Sequence, residues 1–134
     1  MAEKPGRLRG FSSVFTVKDV GQSLSFYVDK LGFVIQFKMG EPPNYAIIEC
    51  EETVSLHLMP ESQDASALGL SSIYVYAVDV DVLHAEFVAK GCPIEMEPED
   101  LVYGMREMSV RDPDGNRITF GQDIGPLDVP VNEA

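Results

Sequence analysis

The chain contains no tryptophan, and histidine and cysteine occur only twice each. Two histidines leave little material for a histidine-rich metal centre or a catalytic triad. Cys50 and Cys92 stand far apart and outside any CxxC spacing. They read as two reduced, partly buried thiols rather than a disulfide or a metal pair. Basic residues are also scarce: 10 Lys and Arg face 22 Asp and Glu, for a net charge of −12. That balance argues against nucleic acid and anionic membranes as partners, and it is compatible with a cationic ligand. No apolar run approaches the roughly 18 residues a membrane helix needs. The stretch Met1 to Arg9 has no apolar signal core, so a cytoplasmic location is expected. Walker A, GxGxxG, HExxH and GxSxG patterns are all missing.

What is present is the composition of an ordinary globular chain, 45% hydrophobic and 24% charged over 134 residues, enough for one compact domain or two small units sharing a core. Pro5 and Gly6 mark residues 1–10 as an arm. Phe11 to Lys18 alternates like a strand, with Ser13, Phe15 and Val17 on one face and Ser12, Val14 and Thr16 on the other. Asp19 is a good N-cap, and Gln22 completes a capping-box pattern. The following helix carries Val20, Leu24, Tyr27, Val28 and Leu31 at core spacing and stops at Gly32. Phe33 to Met39 is a second strand. Tyr45 to Cys50 and Thr53 to Leu58 form a hairpin around Glu51-Glu52, with Val54, Leu56 and Leu58 on one face and Thr53, Ser55 and His57 on the other.

The pattern then starts again. After a linker, Ser72 to Val78 is a strand, and Asp79 stands before a helix as Asp19 does. Val80, Leu83, Phe87 and Val88 make its apolar stripe, and Gly91 stops it. Pro93 to Glu97 reads as a short edge strand and Pro98 to Tyr103 as a loop. Met105 to Arg111, the turn Asp112-Pro113-Asp114-Gly115-Asn116 and the strand from Arg117 form a closing hairpin, with Ile118 and Phe120 pointing one way and Thr119 the other. The two copies are offset by about 60 residues, an internal repeat of strand–helix–strand–strand–strand. This predicts an α+β chain of two tandem βαβββ modules forming a curved mixed-sheet cleft: a first module over 11–60, a linker over 61–70, a second module over 71–122 and a polar tail over 123–134. The sheet face away from each helix is too polar for a core and too apolar for a plain solvent face, which suggests a lined cavity.

The chain resembles the vicinal oxygen chelate superfamily, which includes glyoxalase I, extradiol dioxygenases, and fosfomycin- and bleomycin-resistance proteins. In the first module the likeness rests on Val17-x-Asp19 and Ser25-Phe26-Tyr27-x3-Leu31-Gly32-Phe33. In the second it rests on Val80-Asp81-x-Leu83-His84-Ala85-Glu86 and on Tyr103-Gly104-Met105-Arg106-Glu107 leading into Arg111-Asp112-Pro113-Asp114-Gly115-Asn116, the stretch most like the bleomycin-resistance branch. The resemblance implies paired βαβββ modules around a cleft, usually in a homodimer. In chelating members the first and last strand of each module supply the metal ligands. The matching positions here are Ser12, Ser55, Ser72 and Thr119, four short neutral hydroxyls that are poor ligands beside imidazole or carboxylate. No metal and no cofactor are therefore expected.

Around these positions, Phe37, His57, Tyr74, Tyr76, Tyr103, Glu107 and Ser109 are candidates to line the cleft, with Phe33 and Tyr45 beside them. Glu107 reads as a general base, a cation anchor or a plainly salt-bridged carboxylate. His57 reads as a metal ligand only if the register slips by two residues, and otherwise as a hydrogen-bonded histidine. Arg106 is expected to pair with an acidic neighbour, and His84 to be exposed. The resulting expectation is a metal-independent, drug-sequestering protein resembling bleomycin-resistance proteins, holding a cationic or aromatic small molecule. Its rival is a metal-dependent lyase, isomerase or dioxygenase using His57 and Glu107. A third reading is a protein without a small ligand, whose clefts serve dimerisation.

Overall fold

A computed structural model describes residues 6–61 and 65–126. The predicted arm as far as Pro5, the middle of the linker and most of the polar tail lie outside the described residues. The first module runs β1 (Ser13–Val17), α1 (Val20–Leu31), β2 (Val34–Met39), β3 (Tyr45–Cys50) and β4 (Val54–Pro60). A short 3-10 turn (Ala65–Ala67) leads to the second module: β5 (Ser72–Tyr76), α2 (Val80–Ala89), β6 (Met96–Leu101), β7 (Met105–Arg111) and β8 (Arg117–Asp123).

Local chemistry sets the helix ends. The Asp19 carboxylate accepts from the Gln22 backbone N–H at 2.9 Å, and Asp79 accepts from Val82 at 3.1 Å. Each satisfies a backbone donor that the first helical turn leaves free. Gly32 closes α1 in the left-handed region at φ 81°, a conformation that costs glycine nothing sterically. The buried face of α1 is Val20, Ser23, Leu24, Tyr27 and Leu31; Val28 is only half-buried. In α2, Val80 and Phe87 face inward, whereas Val88 is exposed and not part of the stripe.

The strands form two four-stranded mixed sheets, ordered β1-β4-β3-β2 and β5-β8-β7-β6. Within each, the first and last strands of the module run parallel and the other pairs antiparallel. This is the predicted α+β pair of tandem βαβββ modules. Strand β6 departs from the sequence reading. It occupies Met96–Leu101 and includes Pro98, with a register shift between Met96 and Glu99. An edge strand tolerates proline because one row of its N–H groups faces away from the sheet.

The helix-side faces of both sheets merge into one core that includes Phe15, Val17, Tyr27, Ile48 and Leu56 from the first module and Val80, Met108, Val110 and Ile118 from the second. The Asp112–Asn116 turn ties the modules together. Buried Asp112 accepts from the Tyr27 hydroxyl at 2.9 Å, the Asn116 amide at 2.9 Å and the backbone N–H groups of Asp114 and Asn116. Asn116 also donates to the Thr16 carbonyl at 3.2 Å and accepts from Ser71 N at 3.0 Å, while Lys18 N donates to Asp114 at 3.1 Å. The turn is thus a polar joint inside the protein, with its buried groups paired.

Candidate functional site

Directly opposed residues in a sheet point to the same face, so the registers define what each outer face presents. In the first module Val14, His57, Ile47 and Phe37 form one row across all four strands. In the second, Tyr74, Thr119, Ser109 and Met96 form the matching row, and Tyr76, Gly121, Glu107 and Glu99 the next. The predicted facing of Thr119, Ser109 and Glu107 follows from the Ser109–Thr119 pair. The two faces differ in character: the first is mainly apolar, and the second carries hydroxyls and a carboxylate.

Glu107 lies at the centre of the second face. Only 7% of it is exposed, and its Oε2 accepts from Tyr74 at 2.7 Å and from Tyr103 at 2.9 Å. Tyr74 reaches it from β5, across the intervening strand β8, over Gly121. Burial first, then the hydrogen bond to Glu107 and its charge, push the Tyr74 hydroxyl above the usual phenol range. The hydrogen bond to Glu107 is the main cause of the same upward push on Tyr103. Farther along the face, Glu95 accepts from Ser109 at 2.9 Å and from Arg117 at 2.8 Å, and also binds Arg111. The Arg111 guanidinium chiefly holds the Glu95 carboxyl below the usual carboxylate range. Glu95, Met96, Glu107, Ser109, Arg117 and Thr119 line a concavity of about 490 Å³.

A second groove of about 430 Å³ runs between the modules. Phe11, Ser13 and Ser55 line it on one side, and the β5 segment from Ile73 to Tyr76 on the other. The predicted site residues therefore fall into three places. Glu107, Ser109 and Thr119 line the first concavity; Tyr74, Tyr76 and Ser55 line the groove, from which the Tyr74 hydroxyl reaches Glu107, where Tyr103 joins it; and Phe37 and His57 lie on the first module's face outside both. Phe33 is buried in the core against Tyr27, not in a cleft. Arg106 pairs with Asp81 at 3.0 Å and Asp100 at 2.8 Å, as predicted. His84 is half-buried beside Glu97 rather than exposed, because β6 runs past α2. Sequence reasoning missed Glu95, Arg117 and Gly121. Arg117 lies two residues before Thr119, so strand alternation alone could have found it. Gly121 carried no signal without the register.

The four positions matched to metal ligands do not gather donors suited to a metal. Ser12 Oγ donates to Ser55 Oγ at 2.7 Å, so these two hydroxyls satisfy one another. Ser72 is exposed and opposite Arg117, one two-residue step from Thr119. The register also refines the repeat. Val14 stands opposite His57, one residue beyond the start of β1, as Tyr74 stands opposite Thr119 in the second module. His57 is thus the first-module counterpart of Thr119. Its Nδ1 lies 2.7 Å from the Tyr45 hydroxyl, with the rings edge-to-face. With that histidine included, the set holds one imidazole and three hydroxyls, still no match for the nitrogen, sulfur or carboxylate sets that hold transition metals. Among the described residues no three His, Cys, Asp or Glu side chains are grouped as metal ligands. Cys50 and Cys92 are free, and burial raises both thiols.

Residues 11–120 match the Glyoxalase/Bleomycin resistance protein/Dioxygenase superfamily. The chain belongs to this superfamily. Among solved structures of similar fold is TioX from Micromonospora sp. ML1, 18% identical with a TM-score of 0.72, the match covering 85% of this chain and 99% of that one. TnmS3, an antibiotic binding protein from Streptomyces sp. CB03234, is 22% identical with a TM-score of 0.69, covering 88% and 99%. Lactoylglutathione lyase from Agrobacterium tumefaciens is 24% identical with a TM-score of 0.69, covering 89% and 96%. At these identities the likeness shows a shared fold, and the fold houses both binders and enzymes. No curated protein matches the chain. No helix among the described residues is long and apolar enough to cross a membrane.

Proposed function

We propose that this superfamily member binds a small molecule without a metal, as a sequestering protein of the bleomycin-resistance kind. The observation that carries the reading is the residue set at the chelating positions: Ser12, Ser72 and Thr119 are hydroxyls, Ser55 is tied to Ser12, and His57, the counterpart of Thr119 by register, is a single imidazole held by Tyr45. Sequestration needs no chemistry; ring burial and a few polar contacts supply the affinity. The fold shared with an antibiotic binding protein supports it at the level of architecture. Titration calorimetry with bleomycin, on protein stripped of metal, is the test. Saturable heat that survives chelator is expected; absence of both heat and thermal shift sinks the drug-sequestering claim.

The competing reading, a metal-dependent lyase, isomerase or dioxygenase, rests on His57 and Glu107, which stand on the sheets of different modules. It requires near-stoichiometric Mn, Fe, Ni or Zn in protein purified without chelator, and metal analysis decides between the two. We also propose a homodimer. Strands β1 and β5 are terminal strands of their sheets. Large apolar side chains lie bare along them: Phe11 is 89% exposed, Tyr76 83% and Val78 95%. Such a surface fits a covered interface. Light scattering should report twice the chain mass, and a monomer at micromolar concentration overturns it.

A further inference from the structure

Glu107 is nine-tenths buried, yet among the described residues only one of its two oxygens is satisfied by the protein. Both phenols, Tyr74 and Tyr103, donate to Oε2. Oε1 accepts nothing from a described residue, and the side chain lines the open concavity. Oε1 is not among the buried polar atoms that lack a partner; it is open to solvent in the concavity and free to accept from a bound molecule. The nearest cationic side chains do not pair with it. Arg111 and Arg117 are both engaged by Glu95, and Arg106 is engaged by Asp81 and Asp100. Glu99 stands opposite Glu107 in the same row and adds negative potential. Three tyrosines surround the carboxylate. Tyr74 and Tyr103 touch it, and Tyr76 meets Tyr74 edge-to-face with ring centres 5.4 Å apart. Their rings stay substantially exposed.

Resting on the small-molecule reading above, we propose that this face recognises a protonated amine: its N–H seats on Glu107 Oε1, and the Tyr74, Tyr76 and Tyr103 rings cover the carbon skeleton around it. The two phenols act as positioning groups. By occupying Oε2 they fix the carboxylate plane and turn the other oxygen toward the concavity. One free oxygen suits a single N–H donor, whereas a hard divalent ion needs six or more oxygen ligands, which this face does not gather. Ring faces beside the carboxylate add cation–π attraction for the same charge. Gly121 is what makes the arrangement possible, because any side chain there would occupy the path of the Tyr74 ring.

The test compares benzylamine with its neutral counterpart, benzyl alcohol, by titration calorimetry and amide NMR near pH 7. Wild-type protein should bind the amine at least about tenfold more tightly than the alcohol. The amide shifts should centre on Tyr74, Tyr76, Tyr103 and Glu107. Glu107→Gln keeps an acceptor for both phenols but loses the charge. It should abolish the preference while leaving alcohol affinity within about twofold, since that contact is mainly apolar. In wild type alone, raising the salt concentration should weaken the amine and not the alcohol, a readout that stands even if the variant fails to fold. Equal affinity for amine and alcohol, or a preference that survives in Glu107→Gln, overturns the assignment and leaves the small-molecule reading standing. Failure of both probes overturns the assignment as well, and if bleomycin also gives no heat, the small-molecule reading falls with it.

Discussion

A methyl group on Gly121 would lie 1.8 Å from the Tyr74 hydroxyl. The glycine is therefore part of the hydrogen bond that Tyr74 makes with Glu107 two strands away. In Gly121→Ala the flexible end of the Tyr74 side chain has to swing off the sheet, because the strand backbone itself accepts alanine. The expected cost in stability is about 1–2 kcal/mol, from one lost hydrogen bond and some packing. The sharper readout is tyrosine titration by ultraviolet absorbance. Tyr74 ionises above the usual phenol range in the wild type, and in the variant it should return toward about 10. If the titration curves superimpose, Tyr74 does not cross Gly121 in solution.

Tyr27 and Asp112 join the two modules through one buried hydrogen bond of 2.9 Å. Burial first, then the Asp112 charge, drive the Tyr27 hydroxyl far above its usual range, so it stays a donor at any ordinary pH. Tyr27→Phe removes one of four donors from a buried carboxylate and should cost roughly 1–3 kcal/mol in urea unfolding. Asp112→Ala removes the partner of the Tyr27 hydroxyl, of one Asn116 amide N–H and of two turn backbone N–H groups together and should cost more, about 3–5 kcal/mol. The double variant should fall well short of the sum, since both changes remove the same bond. Strict additivity would mean the two groups do not interact.

Gly69 approaches this same joint from the linker side. Its φ of +70° lies in the left-handed region, and a Cβ there would sit 2.0 Å from the Asp114 backbone carbonyl oxygen. Backbone cannot swing aside as a ring can. Gly69→Ala should therefore lower stability by at least about 2 kcal/mol, against a smaller loss for Gly121→Ala. A melting temperature equal to wild type would show that the linker is not packed on the turn.

The contrast between these sites explains what could be read from the sequence. Asp19 and Asp79 announced both helices because capping is a local act, complete within three residues. Thr119 and Glu107 could be assigned to one face because the Asp112–Asn116 turn fixes the register of its hairpin. The same turn's role as a joint was hidden, since Asp112 and Asn116 look like ordinary turn residues until Tyr27 and Thr16 arrive from the other module. Strand β6 was misplaced because Pro98 normally argues against a strand and only edge position excuses it. His57 could not be matched with Thr119 until the pairing of Val14 with His57 set the first module against the second. The partners of Glu107 depend on a ring crossing a neighbouring strand, which no spacing along the chain encodes.

Glu95 provides the prediction that depends on pH. It bridges Arg111, Arg117 and Ser109 at the cationic end of the second face. Its folded-state pKa lies below the ordinary carboxylate value, with the Arg111 hydrogen bond as the main cause. A depressed carboxylate pKa means that the folded state holds the charged form more tightly than the unfolded chain does. The stability this supplies is complete above the unfolded value of about 4.3 and is lost as pH falls through the lower folded value. Solvent reaches these side chains, so screening keeps the contribution to about 0.5–1 kcal/mol. Glu95→Gln should therefore be less stable than wild type by that amount at pH 7. The gap should close as pH falls below about 4, because wild type then loses the same charge. Urea unfolding of both proteins across pH 2.5 to 7 measures the gap. A gap that stays constant down to the lowest pH would assign the loss to packing or to the Ser109 hydrogen bond instead of to the paired charge.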